Sequence, residues 1–182
     1  GFVHKFESKG TPLLSFEDAR LHRASGIAVD SGGAIYVTDA QRGTVLIFFP
    51  DGTFLRSIRI PPQPTFSGLL GISLDDAGNL YVPDPARSRV AKFDPHGRLL
   101  KSWTAPQDAA SGEHPSSVAV GQDGSVFVAY ANTGRIERYS PDGAWLRSWL
   151  VTDAQAGNPQ SFAGFAVAGE YVFGLTTSGG PQ

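Results

Sequence analysis

Apolar and polar positions alternate along this chain in short runs, and each run is closed by Gly, Pro, Asp or Asn. The clearest stretch is residues 26–58. Ile27-Ala28-Val29, Ile35-Tyr36-Val37, Val45-Leu46-Ile47-Phe48 and residues 54–58 are four runs rich in β-branched and aromatic residues, with Leu55 set against Phe54 and Arg56 in the last. That pattern predicts four strands. The turns between them have their own chemistry. Gly32 and Gly33 supply the positive φ of a tight hairpin. Asp39 ends the second strand, where its carboxylate can accept from amides one or two residues on and start a turn. Pro50-Asp51-Gly52 fixes φ and then permits the left-handed conformation. Four strands with three tight turns make an antiparallel meander with two apolar faces, which is stable only with neighbours.

Those neighbours are copies of the same unit, at 71–103 and 117–149. The glycines of the third turn are Gly52, Gly97 and Gly143, spaced 45 and then 46 residues apart. Asp39, Asp84 and Tyr130 each stand 13 residues before that glycine. The third strand carries Phe48, Phe93 and Tyr139 in register, and the fourth closes on Ile58, Trp103 and Trp149. A four-stranded unit with a period of about 45 residues predicts propeller blades. The ends are partial copies. Residues 2–16 match strands three and four around Gly10, and Phe6 aligns with Phe48. Residues 162–173 match strands one and two with a shorter turn. The expected fold is all-β: a β-propeller of four-stranded antiparallel blades, three full blades plus two half-blades. The expected boundaries are a half-blade at 1–18, blades at 22–60, 68–105 and 114–151, and a half-blade at 160–178, in one propeller domain or a fragment of one. The aromatic set Phe6, Phe48, Phe93 and Tyr139 is expected in the core between blades. A short helical turn is expected near residues 108–111. The half-blades are complementary and could close a four-bladed ring, but membership of a larger, six-bladed ring is the expected arrangement, because blades of this type are built for that curvature.

Composition narrows the function classes. A net charge of −2 and a pI near 6.1 argue against a nucleic-acid binder with a broad basic field. The chain has no Cys, which excludes a disulfide framework, a thiolate metal site and a Cys nucleophile. No apolar run is long enough to span a bilayer. The chain begins at Gly1 and contains no Met, which is expected of a processed chain or an excerpt. No Ser sits in a nucleophile-elbow context, and the glycines read as hairpin glycines rather than a phosphate loop.

The unit resembles the NHL repeat, the blade of six-bladed propellers related to the lactonase type. The likeness is carried by GIAVD at 26–30, GNLYVPD at 78–84, NTGRIERYSPDG at 132–143 and the PDG and PHG turns at 50–52 and 95–97. It covers nearly the whole chain, although Val167-Ala168-Gly169-Glu170 lacks the usual acidic end of strand one. The resemblance implies that strand one lines a central channel. It also implies that the loops after strands two and four open on one ligand face. On that face it places the candidates His22, Arg42, Arg87, Arg89, Glu113, His114, Tyr130 and Arg135. Arg135 matches the family's common Arg, which implies a structural carboxylate partner. The amidating lyases of similar fold carry a His just before the first-strand glycine, where this chain has Ser25, Leu70 and Ser116. His22 and His114 with Glu113 would make a Zn or Ca site in principle, and ordinary loop residues are the plainer reading. Asp39 and Asp84 read as turn caps rather than bases, since the third copy has Tyr130 there. Trp103 and Trp149 read as packing between outer strands, and Trp145 as exposed.

With no repeated His, no basic field and no nucleophile motif, no catalytic residue, metal or cofactor is assigned. The reading is a binding or scaffold module that presents the loop face of an NHL propeller to a protein or small ligand, secreted or periplasmic. The alternative is a lyase- or lactonase-like propeller enzyme whose metal site lies partly outside this chain.

Overall fold

The periodic runs do form strands, and the turns between them fall at the glycines. The computed structural model describes residues 1–60, 71–104, 114–130, 133–152 and 161–177. The front hairpin pairs β1 (Phe2–Phe6) with β2 (Pro12–Glu17). The first four-stranded sheet runs β3 (Ala24–Val29), β4 (Ile35–Asp39), β5 (Thr44–Phe48), β6 (Phe54–Arg59). The second runs β7 (Ser73–Leu74), β8 (Leu80–Asp84), β9 (Arg89–Phe93), β10 (Leu99–Thr104), with a 3-10 turn at Pro85–Arg87. The third runs β11 (Pro115–Val120), β12 (Val126–Tyr130), β13 (Arg135–Tyr139), β14 (Trp145–Leu150). The back hairpin pairs β15 (Ser161–Ala168) with β16 (Tyr171–Thr177). Every pairing is antiparallel between consecutive strands, which makes each sheet a meander. Strand one of the second sheet is only two residues long, shorter than the run from Gly71 predicts. The turn expected at 108–111 lies outside the described residues.

Each four-stranded sheet is apolar on both faces because it packs between two other sheets. One face of the first sheet, with Ile35, Val37, Leu46 and Phe48, covers Val3 and Phe16 of the front hairpin. Its other face, with Tyr36, Val45, Ile47 and Ile58, meets Leu80, Val82, Ala91 and Phe93 of the second. Tyr81 and Val90 of the second sheet meet Val126, Val128 and Tyr139 of the third. Ala129 and Ile136 of the third meet Phe162 of the back hairpin. Phe48, Phe93 and Tyr139 are buried, as their register predicts. Phe6 is not: it is 57% exposed. Its side of β1 faces away from the first sheet, which Val3 and Phe16 of the hairpin contact instead. The front and back hairpins form separate two-stranded sheets, so the four-bladed closure is not the arrangement adopted.

The third-turn glycines are held by more than backbone conformation. Phe16, Ile58 and Trp103, on the last strand of one sheet, press on Gly52, Gly97 and Gly143 of the next. The Trp103 ring also lies 5.8 Å from that of Tyr139, and Phe16 5.0 Å from Phe48, both pairs tilted. This is the interblade packing expected of Trp103. Trp149 packs edge-on against Phe127, and Trp145 is exposed.

A Cβ on Gly97, whose φ is +88°, would lie 2.6 Å from Ile58 Cγ2, whereas one on Gly10, whose φ is +89°, meets nothing within 4 Å. Gly10→Ala therefore costs only the left-handed strain, about 1 kcal/mol, and Gly97→Ala costs about 2–4 kcal/mol because overpacking adds to it. Urea unfolding of the two variants measures the difference.

Candidate functional site

The loops after strand two and the segments entering strand one bring the predicted candidates together in pairs. The ends of the three second strands differ in a way that follows from the first residue of strand three. In the first blade that residue is Thr44, and the Asp39 carboxylate is left to serve the backbone. Asp39 is fully buried and accepts from the N–H groups of His22 (2.7 Å), Arg23 (3.4 Å), Gln41 (2.9 Å) and Arg42 (3.2 Å). It caps the turn, as expected, and also pins the entry to strand one. Burial works to raise the Asp39 pKa, but these four amides outweigh it and hold the carboxyl below its ordinary 3.8. His22 and Arg42 thus meet at one carboxylate through their main chains, while both residues are exposed.

In the second blade strand three opens with Arg89, and the carboxylate goes to it. Asp84 pairs with Arg89 Nε at 2.9 Å and with Arg87 at 3.4 Å and makes no side-chain cap, which corrects the turn-capping expectation. Pro85 holds the Asp84 backbone extended and supplies no N–H. Asp84 Oδ1 is buried with no hydrogen-bond partner, so the two guanidinium groups alone compensate this carboxylate. Arg89 also donates to Ser102 Oγ at 3.2 Å.

In the third blade Tyr130 replaces the aspartate, and the carboxylate moves to strand three. Glu137 is fully buried, at the position of Leu46 and Ala91. It accepts from the Tyr130 hydroxyl at 2.7 Å, from the Tyr139 hydroxyl and from Arg135. Arg135 has the structural carboxylate partner that was expected, and its guanidinium lies 5.8 Å from the Tyr130 ring centre. Tyr130 is buried, with its hydroxyl committed to Glu137, so it faces the blade interior. Burial, with the neighbouring Tyr139 and Glu137, drives the Tyr130 pKa upward. Burial and the Glu137 hydrogen bond raise that of Tyr139.

Ser88 is the residue that sequence reasoning missed. It adopts φ 48°, alone among the described non-glycine residues in having positive φ. Gly43 and Gly134 hold the same place in the other two copies, at φ 62° and 65°. The serine costs about 1 kcal/mol of backbone strain that glycine avoids. Its hydroxyl shares a 3.2 Å hydrogen bond with His114 Nδ1, which ties the loop of the second blade to the segment entering the third. Arg87, Ser88 and His114 form a small set of hydrogen-bonding groups at this junction, and Arg87 and His114 are exposed. Glu113 lies outside the described residues. Among the described residues no group of three or more His, Asp or Glu is placed to hold a metal ion.

The sequence model of the NHL repeat matches residues 21–48, which span β3 to β5. Solved structures of the same fold include virginiamycin B lyase from Staphylococcus aureus, 14% identical over 91% of this chain and 52% of that one, with a TM-score of 0.66. A streptogramin B lyase is 17% identical over 95% and 54%, with a TM-score of 0.67. A protein of unknown function from Bacteroides caccae is 18% identical over 87% and 57%, with a TM-score of 0.65. The chain spans about half the length of these structures, and such identities establish the propeller fold alone. No curated protein sequence matches the chain.

The depressed Asp39 pKa fixes a pH dependence. The unfolded carboxyl titrates near its ordinary 3.8 and the folded one below it, so the stabilisation is present above that value and is lost as pH falls through the folded pKa. Asp39→Asn is expected to cost about 1–2 kcal/mol at pH 7, and the gap from the parent should narrow as pH falls through the folded Asp39 pKa, below its ordinary 3.8. Denaturant unfolding across roughly pH 2–7 checks this, and a gap of constant size would exclude the ionised cap.

Proposed function

We propose that this NHL-repeat β-propeller chain is a binding module, and that its loop face at the junction of the second and third blades takes an acidic segment of a protein or a small anionic ligand. The observation that carries the reading is Ser88. A strained left-handed serine is retained at the one copy where its side chain reaches across to the next blade, while glycine serves the same turn in the other two. Beside it Arg87 is exposed and only loosely paired with Asp84 at 3.4 Å, so its guanidinium is open to a second carboxylate. Arg89 is taken up by Asp84 and Ser102, and Arg135 by Glu137, so among the described residues of this junction Arg87, Ser88 and His114 are the donors within reach of a ligand. Such a site is small and mixed in charge, unlike the broad basic field that nucleic acid needs. No helix among the described residues is long and apolar enough to cross a membrane.

A propeller enzyme is the second reading, favoured by the likeness of the fold to two lyases and by the Ser88–His114 contact. Its metal site would lie partly outside this chain, with Zn or Ca as the ion. A streptogramin B offered with divalent cation is the direct probe, and its consumption by this chain would favour the enzyme.

The binding reading is tested by titrating the isotope-labelled chain with an Asp/Glu-rich decapeptide and, separately, a Lys-rich one. Amide shifts at residues 87–89 and 114 are expected with the acidic peptide alone, weakening with salt. Arg87→Ala should reduce affinity by roughly tenfold, as expected for loss of a charge-assisted hydrogen bond. Ser88→Gly should raise stability by about 0.5–1 kcal/mol while weakening binding. Equal response to both peptides, or shifts confined to the opposite face, would sink the assignment.

A further inference from the structure

The loop face of the first blade differs from that of the other two in its charge. Four positions of each copy fall on that face at one period. Two lie in the segment entering strand one, 30 and 29 residues before the third-turn glycine. One lies in the turn after strand two, 10 residues before it, and one at the end of strand four, 7 residues after it. In the first copy these are His22, Arg23, Arg42 and Arg59, and all four are exposed. The second copy has one cation among them, Arg87, and Asp84 pairs with it. The third has Glu113 and His114 and no Lys or Arg. A chain of net charge −2 thus gathers three guanidinium groups and an imidazole at one blade. Main-chain hydrogen bonds hold these residues together. The N–H groups of His22, Arg23 and Arg42 all donate to the Asp39 carboxylate. The Ala40 N–H donates to the Arg23 carbonyl at 2.9 Å. The Ile60 N–H donates to the Gly43 carbonyl at 3.0 Å, which sets Arg59 beside the turn that carries Arg42. Asp39 is buried and occupied by amides, so it answers none of the guanidinium groups. Asp18, in the preceding segment, is taken by Arg20 at 2.7 Å. Among the described residues the side chains of Arg23, Arg42 and Arg59 make no hydrogen bond or ion pair.

We propose that Arg23, Arg42 and Arg59, with His22, form a second binding site on the loop face, and that it takes a phosphate monoester. A carboxylate offers two oxygens and one charge, which a single guanidinium satisfies. A phosphate monoester offers three oxygens and about −1.5 to −2 charges near neutral pH, and it takes several guanidinium groups at once. Arg rather than Lys holds all three cationic positions, and its planar fork matches phosphate oxygens. The base of the site is fixed, because Asp39 ties the segment entering strand one to the turn after strand two. Ordering on binding therefore falls on the side chains alone. Three cations at one blade make a local site, not the extended field that a nucleic-acid strand needs. The site shares no residue with the junction of the second and third blades, so it stands whether or not that junction binds an acidic segment.

The test titrates the isotope-labelled 182-residue chain with phenyl phosphate, and with benzoate and diphenyl phosphate as singly charged controls. Amides of residues 22–23, 41–43 and 59–60 should shift with phenyl phosphate, with a Kd roughly fivefold or more below that of either control. Arg42→Gln and Arg59→Gln should each weaken phenyl phosphate at the first blade by roughly threefold to tenfold. Any shifts at residues 87–89 and 114 report on the other junction, and these variants should leave them unchanged. Both side chains are exposed, so neither change threatens folding. A Gly/Ser-rich decapeptide with one phosphoserine identifies the source of the phosphate. Tighter binding than phenyl phosphate assigns the site to a phosphorylated protein, and equal or weaker binding assigns it to a small phosphate ester. No response of the first-blade amides at millimolar phenyl phosphate, equal affinity for benzoate or diphenyl phosphate, or an affinity that both Arg variants leave unchanged overturns the proposal.

Discussion

The fold depends on a contact between a bulky side chain and a glycine. The last strand of each blade ends in Phe16, Ile58 or Trp103, and the side chain lies on the third-turn glycine of the following blade. That glycine meets two demands at once. It takes positive φ for the turn, and it has no Cβ to hold the neighbour off. The side chain above it reaches the strand-three aromatic, Phe48 for Phe16 and Tyr139 for Trp103. Burial of the aromatic, closure of the turn and spacing of the blades are therefore one event. Each unit is unable to bury its own faces, so stability is shared between nearest neighbours as in other repeat proteins.

Within that frame the charged groups rearrange from copy to copy under a single constraint. An Arg at the start of strand three needs a carboxylate, and a carboxylate there needs donors. With Thr44 there is no Arg, and Asp39 serves four amides. With Arg89, Asp84 turns away from the backbone. With Arg135 and Tyr130, the acid appears on the next strand as Glu137, fully buried among hydroxyl and guanidinium donors. A buried carboxylate without such partners would cost several kcal/mol, so the changes at the second and third strands have to travel together. The groups consumed in this way are structural. Arg87, at 3.4 Å the looser of the two Asp84 partners, and the Ser88–His114 pair lie together at the junction of the second and third blades.

The strands, turns and register were legible in the sequence because they rest on local chemistry repeated at one period. Gly52, Gly97 and Gly143 mark the same turn three times, and a coincidence of that kind is hard to misread. What the period hides is the environment of a position in one particular copy. Phe6 aligns with Phe48, Phe93 and Tyr139, yet it is exposed because burial comes from the preceding blade and not from the residue. Asp84 aligns with Asp39, yet its partner is chosen by Arg89 five residues on. Glu137 stands where Leu46 and Ala91 stand, and that break in an apolar column was a readable signal of a buried polar network. Ser88 was readable too, as the one copy in which a turn glycine is replaced. Both signals lie in differences between copies, whereas the search for the repeat looks for their agreement.

The same constraint bears on the loop face. Ile58 on Gly97 and Trp103 on Gly143 carry the packing between blades at the opposite turns, so the loops after strand two are not needed for it, and a contact such as the one between Ser88 and His114 adds a second, polar tie between neighbouring blades. Variation among the copies is tolerated in those loops because the burial that holds the array together lies elsewhere.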